Sequence, residues 1–301
     1  MEQLLRELDE VLKKEQILQK EPMDRHTTFR VGGPADLFLM PETGQIAETL
    51  EILRRHQVDV TIIGNGSNLL VGDLGIKGAV IEMGRQSAKI VVEGEYVTAQ
   101  AGALLSKTAA KAYQNGLSGM EFAAGIPGSV GGAMVMNAGA YGGEMKDIVS
   151  SVTVLDQDGN VKELTCDQMQ FGYRHSCIEE NGYLVLAAKF RLKKGDPEQI
   201  LCRMEELKEQ RVSKQPLEYP SAGSTFRRPE GYFAGKLIMD AGLSGYSIGG
   251  AQVSKKHCGF VINKGGAAAK DILDLIHHIQ KTVKEQFDVE LEPEVKMIGR
   301  F

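Results

Sequence analysis

The sequence predicts an α+β fold, and three observations lead there. Short apolar runs of strand type alternate with amphipathic helical patterns along the chain. Glycine is abundant, at 35 of 301 residues, and gathers in four clusters. Apolar residues make up 42 %, enough to bury a substantial core, and the length fits two or three domains.

Residues 1–20 read as an amphipathic helix, with Leu4, Leu5, Leu8, Val11 and Leu12 on one face. Its acids and lack of a long apolar run are unlike a secretion signal. Val60–Ile63, Ala79–Ile81 and Ile90–Val92 read as buried strands. Leu104–Asn115 reads as a helix closed by Gly116. Val152–Leu155 and Val161–Leu164 flank Asp156-Gln157-Asp158-Gly159-Asn160, a hairpin signal. Leu184–Leu192 is a further strand, and Ile200–Val212 a charged helix. Asp271–Phe287 is a helix whose inner face carries Ile272, Leu275, Ile276, Ile279 and Val283. A domain boundary is expected near Gly195-Asp196-Pro197, shifting towards Lys214-Gln215-Pro216.

The net charge of −5, with no basic stripe, argues against nucleic-acid binding. No apolar run reaches the length of a membrane span. Cys166, Cys177, Cys202 and Cys258 form no CxxC pair and have no zinc-ligand spacing, so reduced thiols in a cytoplasmic protein without a metal are expected. Cys258 adjoins His257, but neighbours on a strand would face opposite ways.

Two glycine loops carry the chemical signal. Ile62-Ile63-Gly64-Asn65-Gly66-Ser67-Asn68 is a strand entering a turn whose amides could cup an anion, with Ser67 and Asn68 as extra donors. Its spacing fits neither a Rossmann fingerprint nor a Walker loop. The second loop, Gly125-Ile126-Pro127-Gly128-Ser129-Val130-Gly131-Gly132, lies in a long run of small residues that continues to Gly142. Ordering such a run is entropically costly, and a large flat ligand packed on the backbone would offset it.

Seven segments in order then give a specific resemblance: Thr28–Asp36, Gly64–Asn68, Gly125–Gly132, Phe171–Ser176, Tyr219–Phe226, Gly235–Ile238 and Leu291–Val295. Together they resemble the UDP-N-acetylenolpyruvoylglucosamine reductase family over nearly the whole chain. The resemblance implies the vanillyl-alcohol-oxidase/PCMH-type FAD-binding fold of two subdomains, residues 1–75 and 76–197. A C-terminal α+β substrate-binding domain over 198–301 would follow, its last residues returning to the FAD region. It implies non-covalent FAD, NADPH as co-substrate and a UDP-sugar enolpyruvyl ether as substrate, in peptidoglycan synthesis for the cell wall. Asn65, Gly66, Ser67, Asn68, Gly125, Ile126, Pro127, Gly128, Ser129 and Gly132 would hold FAD. The chain looks like the shorter class, with no room between Gly242 and Gln252 for an inserted tyrosine loop, and with Arg228 where the longer class has asparagine.

The reaction so implied needs hydride at the terminal methylene, stabilisation of charge on the adjoining carboxylate, and a proton at the neighbouring carbon. The flavin carries the hydride. Arg174 is the expected carboxylate clamp, a planar fork matched to two oxygens. Ser224 is the expected proton donor. Glu294 is the expected stabiliser of the enol as a neutral carboxyl, with Glu292 the alternative if the register differs by two. Tyr173, Arg228, Lys236, Gln252, Ser254, His257 and Asn263 are expected to line the substrate or nicotinamide site. Two other readings stay open: a flavin oxidase of the same fold with tethered FAD, and a nucleotide-sugar binding module.

Overall fold

The computed structural model describes residues 1–301. The chain forms two compact units, each assembled from separated segments. The first comprises Met1–Leu18, Phe38–Asn65 and Gly78–Arg211; the second comprises Gln19–Leu37, Gly66–Lys77 and Val212–Phe301. No helix is long and apolar enough to cross a membrane.

The first unit is built on a five-stranded antiparallel sheet. Its strands lie in the order Val161–Thr165, Val149–Leu155, Leu184–Arg191, Tyr96–Gln100 and Ile90–Glu93. Alternation along these strands buries Val97 and Ala99, Val152 and Val154, and Ala188 and Phe190. The predicted hairpin is present, with Leu155 facing Val161 across the turn. Helix Val130–Met136 packs on strand Leu184–Arg191. Strand Val60–Ile63 runs parallel to Ile76–Glu82, from Val60 opposite Ala79 to Ile63 opposite Glu82.

The N-terminal helix is shorter than the 1–20 expected. It covers Glu2–Val11 and ends at Leu12, whose backbone is extended (φ −107°, ψ 145°). Leu4, Leu8 and Leu12 are buried. After Leu12 no apolar face continues. The buried Gln16 side chain instead accepts from Lys13 N–H at 2.8 Å and donates to Met40 O at 2.8 Å. Ile17–Pro22 is therefore a strand.

The second unit centres on helix Ala269–Phe287, whose Ile272, Leu275, Ile276, Ile279 and Val283 are fully buried, as the 3.6-residue period predicts. It packs against a small antiparallel sheet of Ser247–Ile248, Ala251–Val253 and Val261–Asn263. Phe29, Val31, Leu70, Phe226 and Ile238 share the same core. The helix start is capped from far away in sequence: Asp73 Oδ1 accepts from Ala269 N–H at 2.8 Å and Oδ2 from Lys270 N–H at 2.9 Å. Strand Leu69–Val71 pairs in parallel with Lys296–Ile298. His257 and Cys258 are in the loop between two strands, not on a strand as the sequence argument assumed. Ser254 Oγ shapes that loop by accepting from Lys256 and His257 N–H at 3.2 and 3.3 Å.

Candidate active site

In the first unit, the end of strand Val60–Ile63 meets the second glycine loop. A Cβ placed on Gly64 would lie 2.2 Å from Ser129 Oγ, so glycine lets the strand end and the Ser129 hydroxyl approach this closely. The loop is stitched to residues 101–105: Leu105 N–H donates to Gly128 O, Val130 N–H to Ala103 O and Gly131 N–H to Ala101 O, at 2.8–2.9 Å. Ser129 occupies the N-cap position of helix Val130–Met136, yet its hydroxyl makes no capping bond. Its Oγ is buried and has no hydrogen-bond partner. Leaving such a group unpaired costs about 1–3 kcal/mol. A glycine backbone open to close approach beside an orphan hydroxyl fits a bound phosphate, so these residues suit the phosphate-bearing cofactor expected here. The stem of Arg211 covers Gly125, with Cδ 3.2 Å from where a Cβ would sit. Loss of solvent around Arg211 holds its pKa below the ordinary guanidinium value. Sequence reasoning missed Arg211, because it lies on a charged helix with no motif of its own.

The same unit carries Arg174 at the tip of a tight turn. Gly172 and His175 exchange backbone bonds across it, at 3.0 and 3.4 Å. Arg174 has φ +54°, a left-handed conformation that an arginine rarely adopts. Its guanidinium carbon is 5.2 Å from the Tyr173 ring centroid. Two bonds tie the turn to helix Val130–Met136: Asn137 Nδ2 donates to Gly172 O at 3.0 Å, and Ser176 Oγ donates to Val135 O at 2.8 Å. Asn137 is a further residue that the sequence motifs did not single out.

In the second unit, Gly66 has φ +61°, and a Cβ there would come within 1.9 Å of His26 O. Asn68 Nδ2 donates to Glu294 O at 2.9 Å, and Lys296 N–H donates to Asn68 O at 2.9 Å. Glu294 N–H donates to Thr225 O at 2.8 Å, Arg227 N–H donates to Glu292 O at 2.9 Å, and Phe226 faces Pro293 between them. A single backbone ladder therefore brings Asn68, the Ser224–Arg227 segment and Glu294 together. Ser224 Oγ makes one long bond to Phe226 O, at 3.3 Å. Glu292 is directed outwards, 75 % exposed and 3.7 Å from Arg227.

Of the other expected contacts in this unit, several have polar atoms engaged internally. Asn263 Nδ2 donates to Phe29 O at 3.0 Å, while its Oδ1 accepts from Gly265 and Ala267 N–H. Gln252 Nε2 donates to Gly245 O and Ser247 Oγ. Lys236 is ion-paired with Asp240 one helical turn on. Arg228 Nε donates to Tyr232 O at 3.3 Å, and its guanidinium lies 4.0 Å from the centroid of the exposed Phe233 ring. His257 Nδ1 accepts from Gly259 N–H at 3.1 Å, and the ring meets Phe260 edge-on. Desolvation lowers the His257 pKa, although the residue as a whole is exposed.

Comparison with known proteins identifies the family. Residues 34–165 match a family model described as an FAD binding domain. Residues 215–298 match the UDP-N-acetylenolpyruvoylglucosamine reductase C-terminal domain. The UDP-N-acetylenolpyruvoylglucosamine reductase of Agathobacter rectalis is 58 % identical over 297 residues, covering 95 % of both chains. That of Clostridium perfringens is 55 % identical, covering 97 % of this chain and 96 % of its own. The crystal structure of the Thermus caldophilus UDP-N-acetylenolpyruvylglucosamine reductase superposes with a TM-score of 0.80 at 35 % identity, covering 93 % of this chain and 97 % of that one. At 15 % identity and a TM-score of 0.51, alkyldihydroxyacetonephosphate synthase shares the fold over 64 % of this chain and 41 % of its own. With relatives this similar over nearly its full length, the chain belongs to the UDP-N-acetylenolpyruvoylglucosamine reductase family of FAD-dependent oxidoreductases.

Proposed function

We propose that the chain reduces the enolpyruvyl ether of UDP-N-acetylglucosamine to UDP-N-acetylmuramate with NADPH as reductant, in the cytoplasm, as a step of peptidoglycan precursor synthesis. The observation that carries the residue assignment is the ladder joining Ser224 to Glu294, in which Glu294 N–H reaches the carbonyl of the residue after Ser224. Asn65, Gly66, Ser67, Asn68 and the Gly125–Gly132 loop would hold FAD, which would supply the hydride chemistry between NADPH and the enol ether. The domain division that goes with this reading is 1–75 and 76–197 for the cofactor and 198–301 for the substrate.

Arg174 grips the substrate carboxylate and stabilises the charge that grows on it. Losing such a preorganised group removes about 10²–10³ of the rate. Ser224 donates its proton to the carbon next to the carboxylate. Its present bond is long enough to give way to a better acceptor. Glu294 hydrogen-bonds the enol, and its backbone is fixed from two sides; the outward ion pair of Glu292 supports this register over the alternative. Tyr173, Arg228 and His257 have polar atoms or faces able to meet the nucleotide and sugar, whereas Ser254 is buried with its Oγ engaged by the Lys256 and His257 amides.

The test is spectroscopic. Gently purified protein should be yellow, release its flavin on denaturation, lose the flavin absorbance with NADPH and regain it with substrate. Ser224→Ala should keep the NADPH step and lose the substrate step. If both steps survive in that variant, Ser224 is not the proton donor.

A further inference from the structure

We propose that Asn137 is a positioning residue that holds the Arg174 turn in its working conformation. The inference rests on reading Arg174 as the group that binds the substrate carboxylate. Asn137 is 1 % exposed and has φ +44°, immediately after helix Val130–Met136. If the left-handed backbone were the only requirement, glycine would meet it. The carboxamide does more. Nδ2 donates to Glu144 Oε2 and to Gly172 O, and Oδ1 accepts from Lys146 N–H at 3.0 Å. Three of its four bonding positions are therefore filled in the interior. Gly172 is the first residue of the turn that forces Arg174 to φ +54°. An arginine relaxes from that conformation unless its surroundings over-determine it. The Asn137 bond to Gly172 O pins one side of the turn, and the Ser176 bond to Val135 O pins the other. Removing the carboxamide leaves Gly172 O with only the 3.4 Å bond from His175 N–H inside the turn and frees the turn to relax, which moves the guanidinium.

The experiment uses the flavin-loaded enzyme and follows reduction by NADPH and reoxidation by substrate separately. Asn137→Gly keeps the left-handed backbone. It should leave the NADPH step unchanged and slow reoxidation on the order of a hundredfold, as a small misplacement of a reacting group does. Arg174→Lys should slow the same step. The double variant should be no slower than Arg174→Lys alone, because nothing remains to be positioned. If the two losses multiply, Asn137 does not act through Arg174 and the proposal is overturned. If Arg174→Lys leaves reoxidation intact, the catalytic reading of Arg174 falls instead. Hydrogen exchange at the His175 amide then decides for Asn137: faster exchange in Asn137→Gly supports its hold on the turn, and unchanged exchange overturns it. Should Asn137→Gly not fold, Asn137→Asp combined with Glu144→Gln restores the buried hydrogen bond between positions 137 and 144 without the donation to Gly172. Slow reoxidation in that pair supports the proposal, and normal reoxidation overturns it.

Discussion

The two units connect a glycine loop to a side chain proposed for catalysis by different routes. In the first, the Gly125–Gly132 loop leads through one short helix to Asn137, and Asn137 reaches across to the turn bearing Arg174. In the second, Gly66–Asn68 leads directly into strand Leu69–Val71, which pairs with Lys296–Ile298 just after Glu294. Both routes use an asparagine amide that donates to a backbone carbonyl. The first ends at a strained turn held by a few side-chain bonds, and the second at a residue inside a backbone ladder. The first can thus be loosened by single side-chain changes, while the second should respond mainly to backbone insults.

The largest effect expected from this contrast is at the glycines. Gly66→Ala combines left-handed strain with collision against a backbone carbonyl, and should cost about 3 kcal/mol, read from urea midpoints. Gly64→Ala meets only the Ser129 hydroxyl, which can rotate, and should cost about 1 kcal/mol while sharply lowering flavin content. Equal losses of stability would erase the contrast. Next come the helix starts. Asp73→Ala removes both capping bonds of helix Ala269–Phe287 and should cost about 1–2 kcal/mol. Ser129→Ala, at an N-cap position with no capping bond, should leave the flavin-free protein as stable or slightly more so, and weaken flavin binding.

The smallest effect is electrostatic. The Lys162 ammonium and the Asn160 amide hold Asp156 down to about 2. A carboxylate with a depressed folded-state pKa adds stability above its unfolded value, and that stability fades as pH falls through the folded value. Thermal midpoints should therefore show a loss between about pH 4 and pH 2 that Asp156→Asn removes. The exposed Lys284–Asp288 pair of the second unit lowers the Asp288 pKa as well, but Asp288→Asn should hardly change the acid limb.

Local patterns were readable from the sequence wherever they closed on themselves. The expected helix over Leu104–Asn115 is Leu105–Gln114, ended by Gly116 at φ +65°. The 152–164 hairpin and the inner face of the 269–287 helix were legible for the same reason: period, turn and cap lie within a few residues of one another. The N-terminal helix was overextended because its end depends on Gln16 finding Met40, a contact no local pattern reports. The two glycine loops were legible from the residues themselves, but Arg174, Ser224 and Glu294 were nameable only through resemblance, and the internal commitments of the site residues were hidden. Asn68 and Glu294 are 226 positions apart, and nothing near either one announces the bond between them. The orphan hydroxyl of Ser129 was equally invisible, since an N-cap serine is normally satisfied by its own helix.

The parallel pairing of Leu69–Val71 with Lys296–Ile298 also sets an order of events during synthesis. The strand leaving the first glycine loop emerges from the ribosome early and must wait for more than two hundred further residues before its partner exists. Contacts this distant along the chain form late and slowly. Until then the nascent strand has an unpaired edge, and the bond from Asn68 to the Glu294 carbonyl cannot form.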